Sequence, residues 1–406
     1  MADRPISDFD PHDPALAPVQ HQVLAGLLER CPVSWSGRHG GFWSLTKFDD
    51  VVAAARDHDT FTVERGVIVP STGATTPIPP AQVDPPEHTK YRKLLLPFFN
   101  PKAVLEYEGL IRDIVRGAMR EFLPDGRADL ARELAHPVPT EAIAAILGLE
   151  RTQWRQIRDL VDDYLVAATQ GPEAKQIAAG AFEAFVRSAI SSRRGRPATD
   201  RLGVIVNSRI DGAPVPDHML LGMVHVLITA GHETTINGIA NVLCHLLTVP
   251  GLKERVLAER SLIPALIAES LRIESPVMCM ARTVVSDTRV RGVELGVDEK
   301  VILLYGAANL DTEKFDSPLD FQLGRERSHI AFGSGPHRCI GEHLAMVEMR
   351  VAVEEILDAV PDIRMAQGQL PVWGSGAVRR GVRRLPVEFT PVPDTLAPST
   401  RGAVHA

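Results

Sequence analysis

The chain has 406 residues, 45% hydrophobic and 23% charged, enough apolar content to bury a substantial core. Its 44 Lys and Arg against 51 Asp and Glu give a formal net charge of -7, which argues against a nucleic-acid partner and its basic footprint. The four cysteines, Cys31, Cys244, Cys279 and Cys339, lie far apart with no C-x-x-C pair, excluding a disulfide framework and a zinc cluster and pointing to a reducing cytoplasm.

The polar, proline-rich start has no apolar signal core. Residues 1–14 and 391–406 read as flexible tails around a single domain, 15–390. Gly40–Phe48, GGFWSLTKF, predicts a strand behind a turn, and DDVVAAARDH a helix after it. Thr62–Val83 is rich in Gly, Pro and Thr without a period, and so long a structureless stretch usually serves function. The proline pair of PPEHTKYRKLLLPFF starts a helix. VLEYEGLIRDIVRGAMREFL, TEAIAAILGL and residues 154–168 carry apolar residues at helical spacing. Asp217, after Pro216, is placed to cap a long helix running to about Thr248. Its most apolar part, Met219–Gly231, contains His225 and is shorter than a membrane span, so it predicts a buried core helix. Leu262–Glu274 is helical, RTVVSDTRV, VELGV and KVILLYG are short strands, Gly341–Leu357 is the last helix, and LPVEFTP is the terminal strand. The sum is a mainly α fold with a minor β region.

The most informative segment is FGSGPHRCIG, Phe332 to Gly341. Cys339 lies in a glycine-rich loop just before a helix, where the helix N-terminus and the charges of Arg338 and His337 favour a thiolate. Gly333, Gly335 and Gly341 leave room for backbone to approach a flat ligand. A lone buried cysteine would be inert, but here the whole pattern F-x-x-G-x-x-x-C-x-G is present. This loop resembles the haem-thiolate loop of the cytochrome P-450 superfamily. The resemblance covers about 20–390 and looks nearest to the soluble bacterial, camphor-hydroxylase-like branch, as in GGFW and DPPEH.

The resemblance implies the cytochrome P-450 fold, with heme b (iron protoporphyrin IX) between the long central helix and the cysteine loop. It makes Cys339 the axial iron ligand, a thiolate that favours O–O cleavage. Phe332, Gly333, His337 and Gly341 would line the cofactor. Glu269 and Arg272, in ESLR, share a helix face and resemble the family's buried pair, with Arg325 as third member; their role is structural. AGHETT, Ala230 to Thr235, resembles the family's oxygen-activation motif. Its small Ala230 and Gly231 let the helix open, and Glu233 and Thr234 would relay protons to dioxygen. HETTI is not a zinc-protease H-E-x-x-H, because Ile236 replaces the second histidine. His88 and Arg92, on one helical face, resemble haem propionate ligands, as do Arg282 and His329. Val226, Thr229 and Ala230 would face the substrate. Met278, Ala377, Val378, Val67, Ile68 and Ile78 would complete its pocket.

The function expected is a haem monooxygenase, inserting one atom of O2 into a small organic molecule. A terpenoid-like substrate and a natural-product intermediate are both compatible with the motifs. No nicotinamide or flavin motif is found, so a ferredoxin and its reductase would supply electrons, docking near Lys90, Lys93, Arg338 and Arg350. A cytoplasmic monomer, free of nucleic acid and membrane, is expected. A haem-thiolate sensor is disfavoured by the intact Glu233–Thr234 pair, and a hydrolase by the missing G-x-S-x-G. The arginines 379, 380, 383 and 384 read as a solvated strand edge, and the four tryptophans as packing.

Overall fold

The computed structural model describes residues 5–70, 77–170, 172–326, 328–374 and 378–393. Its largest sheet joins the two ends of the sequence. The strands are β1 (Val33–Ser36), β2 (Phe42–Leu45), β3 (Phe61–Thr62), β4 (Met280–Val284) and β5 (Lys300–Leu303), in the order β1-β2-β5-β4-β3. β2 runs antiparallel to β1, with Trp35 opposite Trp43, and parallel to β5, with Val301 opposite Trp43. Both faces are covered. Phe42, Ala281 and Ile302 pack towards Leu24 and Phe9, whereas Trp43, Leu45, Val301 and Leu303 pack towards Val51 and Ala55. This two-sided burial explains why β2 reads as a nearly continuous apolar run.

The helices that frame the site are α1 (Gln20–Arg30), α2 (Phe48–Arg56), α3 (Glu87–Phe99), α4 (Glu108–Arg120), α5 (Pro137–Leu147), α6 (Arg151–Gln170), α7 (Pro172–Ser191), α8 (Asp217–Ala230), α9 (Glu233–Thr248), α10 (Ile263–Ile273) and α11 (Glu342–Ala359). The main core is built by the apolar faces of α4, α5 and α8 to α11. The architecture is mainly α with a minor β region, as expected.

Four local expectations are corrected. From Pro5 onward the start of the chain is not a loose tail: Ile6 bridges to Trp35, Ser36 donates to the Phe9 carbonyl at 2.8 Å, and Phe9 is buried. At the other end, Val392 N–H still donates to Leu123 O. The helix expected around Val104 to Leu123 is interrupted at Tyr107, and α4 begins after it. The long central helix is two helices, α8 and α9, parted at Gly231 and His232, and Asp217 is the first residue of α8 rather than its cap. Asp217 instead faces Arg194 at 3.2 Å.

The span Asp217–Thr248 is long and apolar enough to cross a membrane by composition alone. Within it, buried Asn241 donates to the carbonyls of Glu274 and Arg380, each at 3.1 Å, although buried Asn237 is left without a partner. That pairing marks a core helix.

The loop after β3 folds over α8. A Cβ on Gly222 would lie 2.2 Å from the Pro77 carbonyl oxygen and 3.1 Å from Ile78 Cα. Gly222→Ala should therefore push the loop away and lower stability by about 1–3 kcal/mol, as overpacking does. An unchanged melting temperature would show that the 77–79 segment yields freely.

Candidate functional site

Cys339 is presented by a loop that only glycine permits. Gly333 and Gly335 have φ of 73° and 71°, the left-handed region. A Cβ on Gly335 would come within 2.5 Å of Ala55 O, so the loop is seated tightly on the end of α2. Cys339 N–H donates to Phe332 O at 2.9 Å, and α11 starts three residues on. Arg338, expected to favour the thiolate, is engaged with Glu342 at 2.6 Å. The thiol is in fact held above its ordinary value. Desolvation by the atoms packed around the sulfur does this, with Glu342 adding to it, against the Gly341 N–H and the charges of Arg92 and Arg338, although the residue itself is open to the surface. A coordinated metal reverses that balance, because it deprotonates a thiol outright.

Beside the loop lies a group of basic side chains. His88, on α3, is 2% exposed and has no hydrogen-bond partner at either ring nitrogen. His337 meets it edge-on, with ring centroids 4.5 Å apart. Burial, then the nearby His337 and Arg92, pull His88 down to about 4. Arg282, on β4, is buried, donates from Nη1 to its neighbour's carbonyl, Ala281 O, at 2.8 Å and also bonds the Tyr305 hydroxyl. His329 accepts from Ala331 N–H at 3.2 Å, and burial pulls it down to about 4. His88, buried with both ring nitrogens unpartnered, lies near the guanidiniums of Arg92 and Arg282, and such a group calls for an anionic partner. A thiol donor beside it therefore fits heme b, whose two carboxylates would take the charge-assisted bonds.

The break between α8 and α9 opens a face. Val226 and Thr229 are half-buried and Ala230 is exposed, while the adjacent Leu227 and Ile228 are buried. Thr234 Oγ1 donates to Ala230 O at 2.8 Å, bridging the break. Glu233 lies one residue away but is held elsewhere: Arg379 Nε and Arg383 Nη2 each reach its carboxylate at 2.9 Å. The basic cluster is thus not a plain solvated edge. Buried Arg380 pairs with buried Glu274 at 2.8 Å, and only Arg384 remains largely open.

The remaining expected pocket residues separate. Val67, Ile68 and Ile78 are half-buried in the loop after β3, where Val67 O accepts from Ala281 N–H at 2.7 Å. Met278 does not form a pocket wall. It is 1% exposed and packs in the core with Leu24, against Gly306, where a Cβ would lie 1.9 Å from its methyl. Val378 meets it through its carbonyl, which accepts from Met278 N–H at 3.0 Å. Ala377 lies outside the described residues.

Glu269 accepts two bonds from Arg272, both at 2.8 Å, and one from Arg325 at 2.9 Å. Burial opposes its charge, but Arg272, the Gln322 N–H and Arg325 hold the carboxyl below its ordinary range. Sequence reasoning missed Asn309. Its carbonyl takes Arg272 Nη1 at 2.8 Å, and its side-chain oxygen takes Ile330 N–H at 2.8 Å, two residues before Phe332. The network thereby reaches the cysteine loop. Of the residues expected to meet a ferredoxin, Lys93 is exposed, whereas Lys90, Arg338 and Arg350 already have carboxylate partners.

A family model described as Cytochrome P450 matches residues 140–359. The chain is 33% identical to the monooxygenase PikC of Streptomyces venezuelae, over 78% of this chain and 79% of that one. It is 30% identical to a steroid C26-monooxygenase of Mycolicibacterium smegmatis, over 88% and 90%. The solved structure of HmtN, a post-tailoring hydroxylase of himastatin biosynthesis, superposes with a TM-score of 0.83 at 28% identity, covering 93% of this chain and all of that one.

Proposed function

Because this chain belongs to the cytochrome P450 family of haem monooxygenases, we propose that it hydroxylates a small, largely apolar natural-product intermediate in the cytoplasm. A ferredoxin and its reductase supply the electrons, and residues 15–390 act as one catalytic unit. The observation that carries this reading is the glycine-turned loop presenting Cys339 beside the orphaned His88 and buried Arg282. The open face at Val226, Thr229 and Ala230 supports an apolar substrate. HmtN, a relative in natural-product tailoring, supports the substrate class.

Heme b, when bound, supplies dioxygen binding and the thiolate-assisted cleavage of the O–O bond. The chain's own residues supply the surroundings. His88, Arg92, Arg282 and His329 would hold and orient the cofactor's carboxylates, with His337 lining it beside His88. Thr234 carries a hydroxyl that is satisfied by Ala230 O across the helix break and can turn to donate a proton into the site. Glu233 feeds it by exchanging between the Arg379–Arg383 clamp and the break.

Thr234→Ala tests this reading. It removes one hydroxyl and leaves the core untouched, so folding, haem content and substrate affinity should change little. Loss of one placed hydrogen bond is worth about 10- to 1000-fold in the affected step. Product per NAD(P)H should therefore fall, with hydrogen peroxide rising in parallel. Wild-type coupling in this variant would remove Thr234 from the proton path.

A further inference from the structure

A second donor cluster lies on the far side of the helix break. His136 stands at the start of α5, Asp162 on α6, and His232 between α8 and α9. His136 Nε2 is 3.3 Å and His232 Nε2 3.1 Å from the same Asp162 oxygen. The ligand atoms of all three lie within 4.8 Å of one another, the one such His, Cys, Asp and Glu group found among the described residues. Tetrahedral zinc with bonds of about 2.0 Å places its ligand atoms about 3.3 Å apart. The two histidine–Asp162 distances match that spacing.

The cluster has three further features of a metal site. Both ion-pair partners of Asp162 are histidines rather than Lys or Arg, so each group facing the carboxylate is itself a possible metal donor. His232 is 1% exposed, and its Nδ1 meets Thr140 Oγ1. A hydrogen bond at that nitrogen can hold the ring with Nε2 free to ligate, the usual arrangement behind a metal-bound imidazole. His136 and Asp162 are only half-buried, at 32% and 36% side-chain exposure, which leaves an open position for water and a path for the ion.

We propose that His136, Asp162 and His232 form a binding site for a divalent transition metal, zinc by its donor set, that ties the break in the central helix to α5 and α6. Two imidazoles and one carboxylate are borderline N and O donors, suited to zinc over calcium or magnesium. The site is separate from the haem reading and stands without it. Bound metal would fix His232, and through it the hinge on which Glu233 and Thr234 are carried.

The test uses tag-free holoprotein and zinc itself, in competition with a chromophoric chelator, with the melting temperature followed in parallel. A single equivalent of zinc should bind and raise the melting temperature. Asp162→Asn and His136→Ala should each weaken binding by more than about tenfold and abolish the thermal shift. Thr140→Val, which removes only the partner behind His232, should weaken it by about 10- to 100-fold. Absence of zinc binding would overturn the proposal. So would binding that Asp162→Asn and His136→Ala leave unchanged, since zinc would then sit on other residues. If Asp162→Asn does not fold, His136→Ala, at the half-exposed edge of the cluster, decides the matter alone.

Discussion

Cys339→Ser is expected to abolish hydroxylation altogether. A serine hydroxyl stays protonated near neutral pH, so it is a poor iron ligand and cannot donate electrons as a thiolate does. The fold should survive. The loop is set by Gly333, Gly335 and the Cys339 N–H bond to Phe332 O, none of which uses the sulfur. Some haem should also remain, held by the basic residues of α3 and β4. The variant should therefore be soluble, partly haem-loaded and inactive, and its reduced carbon monoxide spectrum should lack the thiolate band. Full hydroxylase activity in the serine variant would overturn the assignment of Cys339.

Arg272→Ala should have the largest effect on stability. Arg272 is 1% exposed and makes bonds to Glu269 and Asn309. Its loss strands Glu269, itself 4% exposed, with Arg325 as its remaining charged partner. Breaking a buried pair by removing one member typically lowers stability by about 3–5 kcal/mol, a large part of an ordinary margin. Because Asn309 also holds Ile330, the damage should travel to the cysteine loop. Mostly haem-free or insoluble protein is expected, with a much lower melting temperature in whatever folds. Normal holoprotein with an unchanged melting temperature would show that the pair bears no strain of burial.

What the sequence made legible was local. The cysteine loop and the Glu269–Arg272 pair depend on spacings of a few residues, which a helix or a glycine turn converts directly into geometry. The break at Gly231 was legible as a weak point because small residues stand there. Helices α1 and α7 went unread. The buried stripe of α7 is narrow, Phe182, Val186 and Ile190 among alanines, and α1 buries Leu24, Leu27 and Leu28 among polar residues. Such faces give a weak period. The clamp of Arg379 and Arg383 on Glu233 was illegible in a different way. The partners are joined only by tertiary folding, so four arginines within six residues looked like solvated charge. Met278 failed for the same reason, since nothing in its neighbours announces Gly306. The direction of the Cys339 shift depended on desolvation, which no sequence motif reports.

The register of the large sheet also has a consequence for how the protein comes into being. Trp43 lies opposite Val301, so a strand near the amino terminus pairs with one made late in synthesis. On the ribosome, the β1–β2 hairpin must wait with a bare edge until β5 emerges. Closing so distant a contact is slow, and an unpaired apolar strand is open to association with other chains meanwhile. Helices α4 to α9 can begin to pack in that interval, although α11, which completes their core, follows β5. Yield in cells should thus depend on how well that waiting edge is shielded until the last quarter of the chain is made.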